Sequence, residues 1–200
     1  MSEASPDVPS LSFPTDKLTF RSISLPANKI NQLKGSGDDF SIDMAQVGGL
    51  PEEEVPPESK ARKIARYDGI CSKITDSLYI GSDTIAKDSE TLRGCGVTHV
   101  LNCAGTICEN YHPDKFVYKT LYLYDGTKED IDCLFYNVLE FMDSAVSKGG
   151  TVFVHCHQGI SRSSAMLILY LMWKENMKFV PAHEFVKARR EVCNPNAGFT

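Results

Sequence analysis

Residues 151–173, TVFVHCHQGISRSSAMLILYLMW, constrain this chain more than any other stretch. Residues 151–154 are β-branched or aromatic and follow Gly149-Gly150, the pattern of a buried strand. Residues 165–173 are apolar on every face and rich in strong helix formers, the pattern of a buried helix. A tight loop between a strand and a helix start leaves several backbone N–H groups without intrahelical partners. Those groups converge, and the helix dipole adds positive potential, so the loop is built to hold an anion.

The side chains of that loop say which anion and what happens to it. Cysteines at helix N-termini near cations have pKa values lowered from ~8.5 to roughly 3.5–7.5, so Cys156 reads as a thiolate nucleophile. Arg162 stands where the loop curls back, and its planar fork of donors matches two oxygens of a phosphate. Gly159 lets the backbone turn with positive φ or pass close to a ligand. A nucleophile at the base of an anion cradle and a guanidinium at its lip describe phosphoryl transfer to sulfur. A structural cysteine before an ordinary helix leaves Gly159 and Arg162 unexplained. A metal site from His155, Cys156 and His157 fails because successive residues of an extended strand point to opposite faces. No second ligand pair has zinc spacing, so neither metal nor cofactor is expected.

The stretch HCHQGISRS resembles the His-Cys, two residues, Gly, one residue, Ser-Arg-Ser pattern of the dual-specificity branch of the cysteine-dependent protein tyrosine phosphatases. The resemblance extends from Cys71 to Thr200 through Leu78-Tyr79-Ile80-Gly81 and Gly96-Val97-Thr98-His99-Val100-Leu101-Asn102. It implies that residues 157–162 (His157, Gln158, Gly159, Ile160, Ser161, Arg162) bind the phosphate. It also implies that His155 orients the loop by hydrogen bonding and that Ser163 stabilises the sulfur as a leaving group. The family's proton donor, an aspartate after a strand, falls on Asp125 in Tyr124-Asp125-Gly126-Thr127. A positioned acid is typically worth ~10²–10⁴-fold. An Asx turn or helix cap is the plainer use of such an aspartate; Glu129 and Asp130 are rivals held on the first turn of the next helix. Asn196 matches a family stretch that braces the active loop, and a plain turn is the alternative. Some relatives pair the nucleophile with a resolving thiol at a strand end that corresponds to Cys103; a small buried apolar residue is the other reading. The family continues into a further helix where this chain stops, so the chain reads as truncated there.

Composition sets the outer bounds. Of 200 residues, 42% are hydrophobic and 24% charged, an ordinary globular balance. A net charge of −5 gives no reason to expect nucleic acid or an anionic membrane as partner. No apolar run reaches the ~18 residues of a membrane-spanning helix, and Ser2 stands where myristoylation needs glycine. Seven cysteines without CxxC spacing favour free thiols in a reducing compartment, cytoplasmic or nuclear.

Residues 1–68 are dominated by Pro, Ser, Gly, Asp and Glu and read as a disordered segment, with the catalytic domain over 69–200. Within that segment Lys60, Arg62, Lys63 and Arg66 form a basic cluster. It is either a docking site of the sort used by phosphatases of MAP kinases or a solvated helical face. In the domain, strands are expected over 74–80, 97–102, 116–123 and 151–154. Helices are expected over 88–94, 129–148 and from Pro181 to about 192. His99 reads as a strand residue without catalytic work. Alternating strands and helices make an α/β fold with a central, mostly parallel sheet of four to five strands, helices on both faces and the phosphate loop at a strand's carboxyl end.

The function these residues imply is hydrolysis of phosphotyrosine and phosphoserine/threonine on a protein, a MAP kinase in particular, through a phosphocysteine. Residues 101–105, the Glu-Asp-Ile of 129–131 and residues 170–175 resemble plant-type MAP kinase phosphatases. A lipid or RNA phosphatase of the same superfamily is the alternative, although His157, Gln158 and Ile160 replace the loop lysines usual in phosphoinositide enzymes. A non-catalytic phospho-binding module is the third reading, opposed by the presence of both Cys156 and Asp125.

Overall fold

The computed structural model describes residues 58–199. The elements in order are helix α1 (Lys60–Asp68), strands β1 (Ser72–Lys73) and β2 (Leu78–Gly81), helices α2 (Asp83–Lys87) and α3 (Ser89–Gly94), and strands β3 (His99–Asn102) and β4 (Val117–Thr120). Helix α4 (Phe135–Ser147), strand β5 (Val152–His155) and helices α5 (Arg162–Lys174) and α6 (Phe179–Arg189) complete them. The sheet order is β1-β2-β5-β3-β4, parallel except for the antiparallel pairing of β1 with β2. The expected mostly parallel sheet is therefore present, with five strands.

β5 lies at the centre, and all four of its residues are buried. Its alternate side chains serve opposite layers. Val152 and Val154 join Leu78, Ile80 and Leu101 against Met142, Met166, Leu167 and Val186 of the helices on one face. Phe153 joins Val100, Ile85, Leu92 and Phe116 on the other face, under α2 and α3. Burying a side chain of this size is worth about 1.5–3 kcal/mol, so two apolar layers clamp the strand that carries the catalytic loop.

The sequence expectations hold for element type and shift at the ends. The third strand keeps only Val117–Thr120 of the expected 116–123. The long helix starts at Phe135 rather than Glu129, after a 3₁₀ turn over Asp132–Leu134. There Asp130 Oδ1 accepts the amide of Asp132 at 3.0 Å, a local side-chain bond that competes with helix. Glu129 and Asp130 therefore precede the helix instead of sitting on its first turn.

The largest correction is at the N-terminal side. Residues 58–68, expected to belong to the disordered segment, include helix α1, capped by Ser59 Oγ on the Arg62 amide. The expectation for residues 1–57 lies outside the described residues. The basic cluster is on this helix. Lys63 pairs with Glu191, and Arg66 pairs with Glu58 at 2.9 Å and Glu191 at 3.5 Å. Lys60 and Arg62 make no ion pair among the described residues. His99, as expected, is a strand residue, edge-on to Phe141 at 5.6 Å.

Candidate active site

The loop after β5 is held from outside by its carbonyls. His157 O accepts the Asp83 amide at 3.0 Å, and Ile160 O accepts the Asn194 amide at 2.9 Å. Gln158 O and Gly159 O accept Arg190 Nη2 and Nε at 3.1 and 2.9 Å. A peptide plane sets its C=O and N–H in opposite directions. With four successive carbonyls turned out, the amides of Gln158, Gly159, Ile160 and Ser161 turn inward and form a concave set of donors. Gly159 has φ +68°, and a Cβ there would lie 2.6 Å from the Gly81 carbonyl carbon, so only glycine fits.

Cys156 is buried at the base of this concavity, with Sγ 3.2 Å from Ser163 Oγ. Arg162, the first residue of α5, is also buried. Its Nη1 donates to Leu123 O at 3.2 Å, while its Nε has no hydrogen-bond partner. A buried guanidinium N–H without an acceptor is costly, and an anion in the cradle would satisfy it. Thiol, inward amides and guanidinium thus surround a single space.

Asp125 reaches this space from the loop after β4. Its Oδ1 accepts from Ser161 Oγ at 2.7 Å and from Asn196 Nδ2 at 2.7 Å. Its Oδ2 lies 3.7 Å from Arg162 Nε. Asn196 also donates its amide to Ser161 Oγ at 3.1 Å, so it braces both loops. Asn196 Oδ1 also accepts the Gly198 amide at 2.9 Å, so the turn reading holds beside the bracing one. Asp130 is occupied with its own turn.

His155 departs from the expected role. Its ring is fully buried, and neither nitrogen makes a well-aligned hydrogen bond, the Cys156 backbone acting on it only weakly. It stacks on Phe153 at 5.7 Å, with the rings within 13° of parallel. Burial drives its pKa down to about 4, with the Cys156 backbone and Asp83 acting more weakly the other way. It supports the strand end by packing, as a neutral ring.

Cys103 follows the β3 residue paired with His155, and its amide donates to His155 O at 2.8 Å. Neighbouring strands run about 4.8 Å apart, inside the ~7 Å Cα limit for a disulfide. It is completely buried, which pushes its thiol pKa up.

Sequence reasoning missed Arg190. It lies in the basic run Lys187-Ala188-Arg189-Arg190 on the helix expected from Pro181. Its side chain is fully buried, and it also donates to Ile70 O at 3.0 Å and Ser72 Oγ at 3.2 Å. One side chain therefore ties the catalytic loop to the first strand. No local signal separates it from its exposed neighbour Arg189.

Residues 78–200 match the family described as dual specificity phosphatase, catalytic domain. The chain is 38% identical over 164 residues to the protein-tyrosine-phosphatase MKP1 of Arabidopsis thaliana, covering 82% of this chain and 21% of that one. It is 38% identical over 140 residues to dual specificity protein phosphatase 1 of the same plant, covering 70% of each. Among solved structures, a human tyrosine phosphatase-like serine/threonine/tyrosine-interacting protein superposes with a TM-score of 0.61 at 33% identity. That match covers 64% of this chain and 89% of the other.

Proposed function

The chain belongs to the dual specificity phosphatase family, and we propose that it hydrolyses phosphotyrosine and phosphoserine/threonine on a protein, a MAP kinase in particular, through a phosphocysteine intermediate. The observation that carries this reading is the buried cradle itself: Cys156 at its base, four amides turned inward and a guanidinium N–H without an acceptor. Such a site suits a phosphate group, and this reading puts the sulfur of Cys156 behind the phosphorus.

In the first step Cys156 Sγ attacks phosphorus and the ester oxygen leaves. The amides and Arg162 take the charge that spreads over the other three oxygens. Asp125 supplies the proton to the leaving oxygen. Its Oδ1 is committed to Ser161 and Asn196, so Oδ2 is the atom that carries the proton. In the second step Asp125 accepts a proton from water as the water attacks the phosphocysteine. Ser163 donates to the departing sulfur along the 3.2 Å contact.

The substrate class rests on the similarity to the plant phosphatases and on the loop side chains, which include no lysine. On α1, Lys60 and Arg62 are the residues free to meet an acidic docking surface, since Lys63 and Arg66 already hold Glu191 and Glu58. We place the protein in the cytoplasm or nucleus, where its free cysteines persist.

The test is a turnover assay on phosphotyrosine and phosphothreonine peptides and on inositol lipids, with wild type and Cys156→Ser. Expected are turnover of the peptides by wild type and retained binding without turnover by the variant. Activity of Cys156→Ser within about tenfold of wild type would overturn the nucleophile, because tenfold is only ~1.4 kcal/mol of barrier. Preference for the lipids would move the substrate class, and binding without turnover in wild type would mark a binding module. Reversing the charge of Lys60 and Arg62 should weaken capture of a MAP kinase by the Cys156→Ser variant; unchanged capture would remove α1 from docking.

A further inference from the structure

Beside the catalytic cradle, three residues remote in sequence meet at the carboxyl edge of the sheet. Asp83 opens α2 just after β2, Cys108 lies in the turn after β3, and His157 follows the nucleophile after β5. β2, β5 and β3 are successive neighbours in the sheet, so the three loops emerge side by side. One ligand-type atom from each residue lies within 4.8 Å of the other two. Asp83 and Cys108 are buried, while His157 is exposed and closes the cluster on the solvent side. The sequence offers no zinc spacing because each ligand comes from a different strand end.

We propose that Asp83, Cys108 and His157 form a binding site for a zinc-class divalent cation at the rim of the catalytic loop. A thiolate, an imidazole and a carboxylate are the donor set of zinc and its borderline-soft relatives, whereas magnesium and calcium take oxygen alone. Tetrahedral bonds of ~2.0–2.3 Å put ligand atoms roughly 3.3–3.8 Å apart, so displacements of about 1 Å close the site. The exposed imidazole has the freedom to supply them. Three protein ligands leave a fourth position to water.

The surroundings suit this use. Tyr111 donates its hydroxyl to Asp83 Oδ1 at 2.8 Å and so orients the carboxylate from the outer shell. Lys87 holds Oδ2 at 2.6 Å, but its side chain is 57% exposed and can swing into water when a cation takes its place. As the metal–sulfur bond forms, the Cys108 proton leaves to solvent. His157 is the residue after the nucleophile, and its carbonyl already accepts the Asp83 amide. A bound cation therefore links α2 to the loop a second time, through a side chain, and restrains the mouth of the cradle.

The test uses the full chain with Cys156→Ser, which removes the nucleophile as a competing ligand. Cobalt(II) reports a thiolate ligand by a charge-transfer absorption, and zinc is followed by calorimetry. Expected are one bound ion per chain, a thiolate-to-cobalt band lost on adding Cys108→Ser, and zinc affinity at least tenfold weaker with His157→Gln. His157 is exposed, so His157→Gln decides the matter even if Cys108→Ser fails to fold. No binding, a band that survives Cys108→Ser, or unchanged affinity with His157→Gln overturns the site.

Discussion

Arg190→Met tests whether the catalytic loop is held together from outside. The substitution keeps most of the apolar stem and removes all four hydrogen bonds. Two acceptors, Gly159 O and Ser72 Oγ, are buried. Each left unsatisfied costs about 1–3 kcal/mol. The other two, Ile70 O and Gln158 O, are half-buried and regain water, so each adds less than about 1 kcal/mol. Against this, methionine escapes the cost of burying a guanidinium, a cost visible in the lowering of the Arg190 pKa by burial. The net expectation is a loss of roughly 3 kcal/mol, a large part of the 5–15 kcal/mol a domain holds. Urea unfolding measures it as a lower midpoint at unchanged slope. Where the variant remains folded, inhibition by inorganic phosphate reads the cradle directly. It should weaken at least tenfold, because the Gln158 and Gly159 carbonyls are no longer pinned. A stability loss below about 1 kcal/mol with phosphate affinity unchanged would show that the loop is self-supporting and the reasoning wrong.

Asp125→Asn should slow alkyl phosphates by ~10²-fold or more and activated aryl phosphates far less, since only a poor leaving group needs the proton; equal losses for both would transfer the acid role elsewhere. Asn196→Ala should show the same leaving-group bias in milder form with phosphate inhibition intact, whereas a uniform loss would mark a general packing role. His155 has a folded pKa near 4, below the ordinary 6.5, so the unfolded chain takes up a proton that the folded one excludes. Stability is therefore full above about pH 6.5 and falls by roughly 3 kcal/mol as pH drops toward 4; urea midpoints of His155→Gln that fall just as steeply would acquit His155. Mild peroxide should convert Cys156 to the sulfenic acid, which condenses with the Cys103 thiol to a disulfide and water. Cys103→Ser should then lose activity irreversibly, and full recovery with reductant would leave Cys103 as packing alone.

The loop and its two flanking elements were legible because each signal there is local. Two glycines stop a helix, a β-branched run fills a buried strand, and an apolar run of strong helix formers follows. Asp125 came only from the family resemblance, and the structure sets its carboxylate beside Ser161, Asn196 and Arg162. Arg190 was not legible, because burial of an arginine in a basic run depends on carbonyls brought from Ile70 and Gly159. Helix α1 was legible only as the solvated helical face offered for its basic cluster, since it buries no residue of its own; Ser59 as cap and the pairs to Glu191 give it form. The α4 boundary moved because Asp130 bonds its own turn, a preference that periodicity does not report.

The order in which the chain leaves the ribosome gives the outside bracing of the loop a second meaning. Cys156 and Arg162 are synthesised first; Arg190, Asn194 and Asn196, which turn the carbonyls outward and seat the acid, come afterwards. A nascent chain that has delivered the loop still lacks the clasps that shape it, so the loop carbonyls are not yet turned outward and the acid is not yet seated. Arrested chains of increasing length, incubated with an aryl phosphate, should show turnover switching on only once Asn196 has emerged; earlier turnover would mean the loop shapes itself.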